Sequence, residues 1–256
     1  MIKDFALAER RLGDPMLVLD RVESSNNYAM GELNARPITE GTCYLALSQT
    51  AGKGQRGKDW YSTPGQSMLL SLVLQPVSLR PELQFPLSAA VALAGWDLMA
   101  GILGPGDCRI KWSNDLYWRD RKAGGILIEN ILRGNSWVYS VVGVGINLNQ
   151  ESFPAGLPNP ASFFQAVGKT FDPVECARKF CSLLEPRYAL LRSGGAKDLL
   201  SEYGSRLYRL DQTCRFRTPA GILEAVLRGV RPEGQLVLET REGIRLFGFG
   251  SVELIG

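Results

Sequence analysis

Residues 48–67 read SQTAGKGQRGKDWYSTPGQS, a dense group of side chains able to hold a phosphate. Gly52, Gly54 and Gly57 spell G-x-G-x-x-G, and Gly52 to Lys58 spells most of a phosphate loop. Neither pattern sits in its usual setting. Both loops normally open straight into a helix whose N-terminus faces the phosphate. Here Asp59-Trp60-Tyr61-Ser62-Thr63-Pro64-Gly65 follows, a poor helix start. Asp59 also stands where a magnesium-binding Ser or Thr belongs, and its charge would repel phosphate. A third reading survives. Glycines let backbone amides approach an anion closely. Lys53, Arg56 and Lys58 add cations, and Trp60 offers a flat face for a purine. The long glycine-rich segment predicts a flap that closes over a phosphorylated ligand.

Four other segments carry related chemistry. RIKWSNDLYW puts Lys111, Asn114 and Asp115 at a strand end. DRKAGGILIEN places Lys122 at a turn, just before a double glycine that includes Gly125. VVGVGINLN ends an apolar strand with Gly143, Gly145 and Asn147, small enough for a flat ligand to lie on the sheet. RVESSNNYAM sets Ser24, Ser25 and Asn26 at a strand-to-helix turn, where hydroxyls and the helix N-terminus bind polar groups. The chain has no histidine, which excludes Ser-His-Asp and Cys-His catalysis and histidine-based zinc hydrolysis. The chemistry left is positioning and charge stabilisation.

Those residues need rigid elements beneath them. Residues 16–22 and 42–49 read as strands, with a helix capped by Ser24 or Ser25 between them and running to about residue 35. Residues 67–74 form an apolar strand. Residues 86–103 have helical spacing, with Pro86 in the first turn and Gly104-Pro105-Gly106 as the stop. Strands follow at 108–112, 115–118, 123–132 and 137–147, joined by turns at Arg119-Asp120-Arg121 and Gly134-Asn135-Ser136. Residues 161–203 read as helical, with Pro186 expected to kink or break the stretch. From about residue 207, short strands alternate with Pro-Ala-Gly, Pro-Glu-Gly and Arg-Glu-Gly turns, the pattern of a small β-barrel. The order predicts an α+β fold with a mixed sheet flanked by helices, in two units, 1–205 and 206–256.

Composition narrows the setting. A net charge of +3 is too small to imply a nucleic-acid partner, so electrostatic sites must be local. The five cysteines form no C-x-x-C and read as buried thiols of a reducing compartment. The opening MIKDFALAERRLGD lacks an apolar signal core, and no run of about 18 apolar residues suggests a membrane span. The expected location is cytoplasmic.

In their order along the chain, the glycine loop, the K-W-S-N-D segment and the G-V-G-I-N segment resemble the biotin protein ligases, also called biotin–[acetyl-CoA-carboxylase] ligases. The resemblance implies a mixed sheet related to class II aminoacyl-tRNA synthetases, followed by an SH3-like barrel. It implies that biotin and MgATP react to biotinyl-5′-AMP, from which a lysine of a biotin carboxyl carrier protein takes the biotin. Ser24, Ser25, Asn26 and Gln49 then match residues that hold the biotin ring, and Lys53, Gly54 and Gln55 the ligand-contacting loop. Lys122 matches the lysine at the biotin carboxylate and the adenylate phosphate, beside Gly125. Trp60 and Asn147 match adenine contacts, with Gly143 and Gly145 as close-approach positions. Arg56, Lys58, Lys111 and Asn114 complete the ATP side.

Lys53 and Gln55 stand where the family often has arginine, Ser113 where it often has proline, and Ser25 where it often has threonine. Arg56 is placed to supply the charge that Gln55 lacks. Asp115 is open between three roles: base for the incoming lysine, magnesium ligand or turn cap. No protein-held metal is expected beyond the magnesium that accompanies ATP. Only about twenty residues precede Ser24, so the reading is a monofunctional ligase without a DNA-binding domain, with a homodimer left open. Two alternatives stand beside it: a lipoate–protein ligase, and a non-enzymatic nucleotide or nucleic-acid binding module.

Overall fold

A computed structural model describes residues 11–255, so most of the opening segment considered above lies outside the described residues. Seven strands make the main sheet: β1 (Met16–Leu19), β2 (Cys43–Ala46), β3 (Ser67–Leu74), β4 (Cys108–Lys111), β5 (Asp115–Trp118), β6 (Arg121–Arg133) and β7 (Ser136–Asn147). Their spatial order is β1-β2-β3-β7-β6-β5-β4. β1 runs parallel to β2 and every other pairing is antiparallel, giving the mixed sheet expected. Arg119 and Gly134 take positive φ angles of 52° and 58°, as the tight β5–β6 and β6–β7 turns require.

Alternation along the strands gives each sheet face its own partners. Helix α1 (Ser25–Ala35) packs on one face through Ala29, against Tyr44, Val73 and Val141. Ser24 caps it, its Oγ accepting from the Asn27 amide at 3.5 Å. The other face buries Leu45, Leu70, Leu72 and Val142 beneath α2 (Gln84–Leu103) and α4 (Pro173–Arg192), with α5 (Ala196–Ser205) alongside and the short α3 (Phe163–Val167) preceding α4. By length and composition residues Pro81–Leu103 could cross a bilayer, although Glu82, Gln84, Ser88 and Asp97 leave no unbroken apolar run of 18. Burial between sheet and helices accounts for that apolar character: Leu87, Ala90, Leu93 and Ala94 are fully enclosed.

Pro186 neither ends nor splits α4, which continues from Pro173 to Arg192. Both Pro186 and Ser182 are exposed, so water can satisfy the carbonyl that the proline leaves unpaired. The chain breaks instead at Gly194-Gly195, where Gly194 has φ 96°.

Cys43, Cys108, Cys176 and Cys181 are buried and Cys214 is half-buried. Burial raises the Cys108 thiol from 9.0 to about 12, and the Cys176 thiol to about 11. Folding thus keeps protons that the unfolded chain loses above pH 9, so this stabilisation is complete below that value and declines as pH rises toward 12. The thermal midpoint is expected to fall between pH 9 and 11, less steeply in Cys108→Ala. An identical pH slope in that variant would contradict the assignment.

The second sheet holds β8 (Thr213–Thr218), β9 (Gly221–Val230), β10 (Leu236–Thr240), β11 (Gly243–Phe247) and β12 (Glu253–Ile255), all antiparallel, in the order β11-β10-β9-β8-β12. Phe216, Leu227, Leu236 and Leu238 are buried within the main core cluster, so this sheet is joined to the first. The Trp112 indole N–H donates to the Gly234 carbonyl at 3.0 Å, and its ring stacks on Phe249 at 5.4 Å.

Candidate active site

Strand register brings the chemistry to the α1 face of the main sheet. Leu69 lies opposite Gly145, and Ser71 opposite Gly143. Gly145 in turn lies opposite Gly125, and Gly143 opposite Leu127. Gly125 lies opposite Asp115. With a two-residue repeat these positions share one face, so three glycines leave a floor without side chains.

Protein side chains fill the space above that floor. A Cβ built on Gly145 would lie 2.6 Å from the Trp60 indole, and one on Gly125 would lie 3.1 Å from it. On Gly143 it would strike the Asn26 amide. The glycines therefore seat Trp60 and Asn26, where the sequence reading expected a ligand to lie directly on the sheet. The Trp60 indole nitrogen is buried and has no hydrogen-bond partner among the described residues.

A β-bulge sets the position of Lys122. Regular alternation would put Lys122 and Gly125 on opposite faces, but the β5–β6 register shifts between Leu116 and Tyr117. Ala123 turns into the core, and Lys122 comes to the same side as Gly125 and Asp115. Its ammonium lies 2.7 Å from Asp115 Oδ1 and 5.6 Å from the centre of the Trp60 ring. Lys122 is thus a strand residue, not the turn residue expected. Its amide donates to Asn159 O at 2.7 Å and its carbonyl accepts from Ala161 N at 2.8 Å, which fixes the backbone.

At the start of α1, Ser24, Ser25 and Asn26 are all buried. The Ser25 amide donates to Gln49 Oε1 at 2.7 Å, leaving the Gln49 NH2 group as a donor. The Asn26 NH2 group donates to Glu129 Oε2 at 2.8 Å and to Leu127 O at 3.3 Å. Asn26 Oδ1 accepts from the Ser71 hydroxyl at 2.6 Å. Ser71 and Glu129 are absent from the sequence-derived set. Their signal was the two-residue repeat through Leu69-Leu70-Ser71 and Leu127-Ile128-Glu129, legible only once register is known.

The glycine loop is folded as a small hairpin: the Trp60 amide donates to Gly52 O at 2.8 Å and the Gly54 amide to Lys58 O at 2.7 Å. At its tip the Arg56 guanidinium lies against Gly250, and Lys58 sits 3.9 Å from Glu253. Both contacts join the loop to the second sheet.

Two hollows result. A small pocket is lined by Ser24, Ser25, Asn26, Gln49, Lys53, Gly54, Gln55, Trp60, Asn114, Lys122, Gly125, Gly143 and Gly145. A larger groove between the sheets is lined by Arg56, Lys58, Lys111, Asp115 and Asn147 together with Phe216, Gly250 and Leu254. Gly54, Gln55, Trp60, Asn114 and Lys122 border both. Every site residue drawn from the sequence lines one hollow or the other. Some are held by the protein itself: the Asn147 NH2 group donates to Ala161 O at 2.9 Å and that of Asn114 to Ile126 O at 2.7 Å. Burial lowers the Lys111 ammonium pKa, partly offset by Asp115 and Glu253. Among the described residues no group of three or more His, Cys, Asp or Glu could hold a metal ion.

Residues 18–147 match the biotin/lipoate A/B protein ligase family. The chain is 32% identical over 255 residues to the bifunctional ligase/repressor BirA of Bacillus spizizenii, covering 98% of this chain and 77% of that protein. It is 30% identical over 236 residues to the biotin–[acetyl-CoA-carboxylase] ligase of Paracoccus denitrificans, covering 88% of this chain and 95% of that one. In fold it is similar to the biotin protein ligase from Aquifex aeolicus in complex with biotin and ATP, with a TM-score of 0.79, 24% identity, and coverage of 94% and 98%. The chain belongs to the biotin/lipoate A/B protein ligase family.

Proposed function

We propose that the protein is an ATP-dependent biotin–protein ligase. It activates biotin as biotinyl-5′-AMP and transfers the biotin to a lysine of a biotin carboxyl carrier protein. The observation that carries this reading is Lys122 at the junction of the two hollows. The smaller pocket takes the bicyclic ring, with its buried hydroxyls and the free Gln49 amide facing the ureido group. The groove takes ATP, with Arg56, Lys58 and Lys111 near the phosphates and Trp60 and Asn147 near the adenine.

The biotin carboxylate then meets the α-phosphate beside Lys122. Its oxygen attacks the α-phosphorus, and pyrophosphate leaves. The ammonium offsets charge that grows on the reacting oxygens. Asp115 holds that ammonium in place. A neutral carrier lysine next attacks the anhydride carbonyl, and AMP leaves. The loop hairpin and the second sheet shield the anhydride from water. Magnesium enters as the ATP complex, a substrate whose charge the phosphates largely satisfy.

The division into a ligase unit, 1–205, and a C-terminal unit, 206–256, follows the same reading. So does a cytoplasmic location, which suits the unpaired thiols. Neither DNA binding nor a homodimer is needed for the chemistry.

A lipoate ligase would share the adenylation step, but an apolar dithiolane gives Ser25 and Gln49 nothing to bond. Leaving such groups buried and unpaired costs about 1–3 kcal/mol each. ATP–pyrophosphate exchange is therefore expected with biotin and not with lipoate. Exchange with lipoate alone would overturn the assignment.

A further inference from the structure

We propose that Glu129 is a positioning residue for recognition of the substrate ring: through Asn26 and Ser71 it sets Ser25 as a hydrogen-bond acceptor toward the pocket. The inference rests on the reading that the pocket takes a ureido ring.

A carboxylate and a backbone carbonyl can only accept hydrogen bonds. Glu129 Oε2 and Leu127 O therefore fix which end of the Asn26 amide faces β6: it is the NH2 group, at 2.8 and 3.3 Å. Asn26 Oδ1 must then face Ser71. Ser71 has one proton and two oxygens within reach, Asn26 Oδ1 at 2.6 Å and Ser25 Oγ at 2.8 Å. The amide oxygen has no proton to offer, so it takes the one from Ser71. Ser25 then supplies the proton between the two hydroxyls, and its own lone pairs are left for the pocket. Ser25, Asn26 and Ser71 are 5%, 3% and 0% exposed, so water has little access to reverse the order.

Gln49 completes the arrangement. Its carbonyl oxygen is taken by the Ser25 amide, so it presents N–H donors. A ring with one C=O and flanking N–H groups is thereby met with opposite polarities, the carbonyl by Gln49 and an N–H by Ser25. Glu129 touches none of this directly and acts from the far end of the chain of bonds.

The test is calorimetric titration of the wild type, Glu129→Leu and Glu129→Gln with biotin and with a biotin analogue methylated on both ureido nitrogens. Glu129→Leu is expected to weaken biotin about tenfold, the equivalent of one charged hydrogen bond. Glu129→Gln retains a carbonyl acceptor and should stay close to wild type. Against the methylated analogue, which offers no N–H, the loss in Glu129→Leu should disappear. Ser71→Ala breaks the same chain and carries the test if Glu129→Leu does not fold. Equal losses for both ligands, or no rescue by glutamine, would overturn the relay. So would unchanged biotin affinity in Glu129→Leu, and that result would leave the ligase reading intact. A wild type that binds no biotin would overturn both.

Discussion

Replacing Lys122 with alanine is expected to slow adenylate formation by about 100-fold or more, the usual loss when one charge-stabilising group is removed from a transition state. Biotin affinity should fall far less, because the ring is held elsewhere in the pocket. Lys122 is the cation at the border between pocket and groove, and the bulge and the Asn159 and Ala161 backbone bonds hold it there. Its side chain is 30% exposed and that of Asp115 24%, so water can reach Asp115 once its partner is gone and the fold should persist. Arginine should not restore the rate, because its planar fork is wider than an ammonium and would press on Trp60. Single-turnover release of pyrophosphate reads the effect. A near-normal rate in the alanine variant would show that another group carries the charge.

The second large effect is expected at Gly145. Valine there brings a Cβ to 2.6 Å from the Trp60 ring, before its two methyl groups are counted. The indole has little room to turn aside, because it also lies 3.1 Å from a Cβ position on Gly125 and the Lys122 ammonium sits 5.6 Å from its ring centre. The loop must lift, which loses the contacts of Arg56 with Gly250 and of Lys58 with Glu253. Both stability and ligand affinity should fall, stability by about 1–3 kcal/mol as for other overpacked sites. Gly101 is the control: it lies in α2 with nothing within 4 Å of a built Cβ. Gly101→Ala should instead add about 0.5–1 kcal/mol. Denaturant unfolding of the two variants compares them. Equal effects would mean that Gly145 is not a contact position.

Much of the scaffold was legible. Ser67–Leu74 is a strand because its apolar run is bounded by turn residues, and α1 begins where Ser24 can cap it. The glycine, lysine and serine segments pointed to one site, and they line two adjoining hollows. Three things stayed hidden for physical reasons. The bulge that swings Lys122 onto the site face depends on pairing with β5, which no local pattern reveals. Ser71 and Glu129 look like ordinary strand residues until register sets them opposite Gly143 and Val141. Pro186 reads as a breaker in isolation, but solvent at its exposed face lets the helix continue.

The central claim is that the activated ring–nucleotide anhydride spans the junction at Lys122, with the ring beside Ser25 and the nucleotide toward the second sheet. A crystal structure with a non-hydrolysable biotinyl-adenylate analogue tests it most directly. The account predicts density with the ureido group within hydrogen-bonding reach of Ser25 and Gln49 and the phosphate mimic against Lys122. Density confined to the open hollow lined by Arg36, Ile38 and Tyr44, past the C-terminal end of α1, would contradict it.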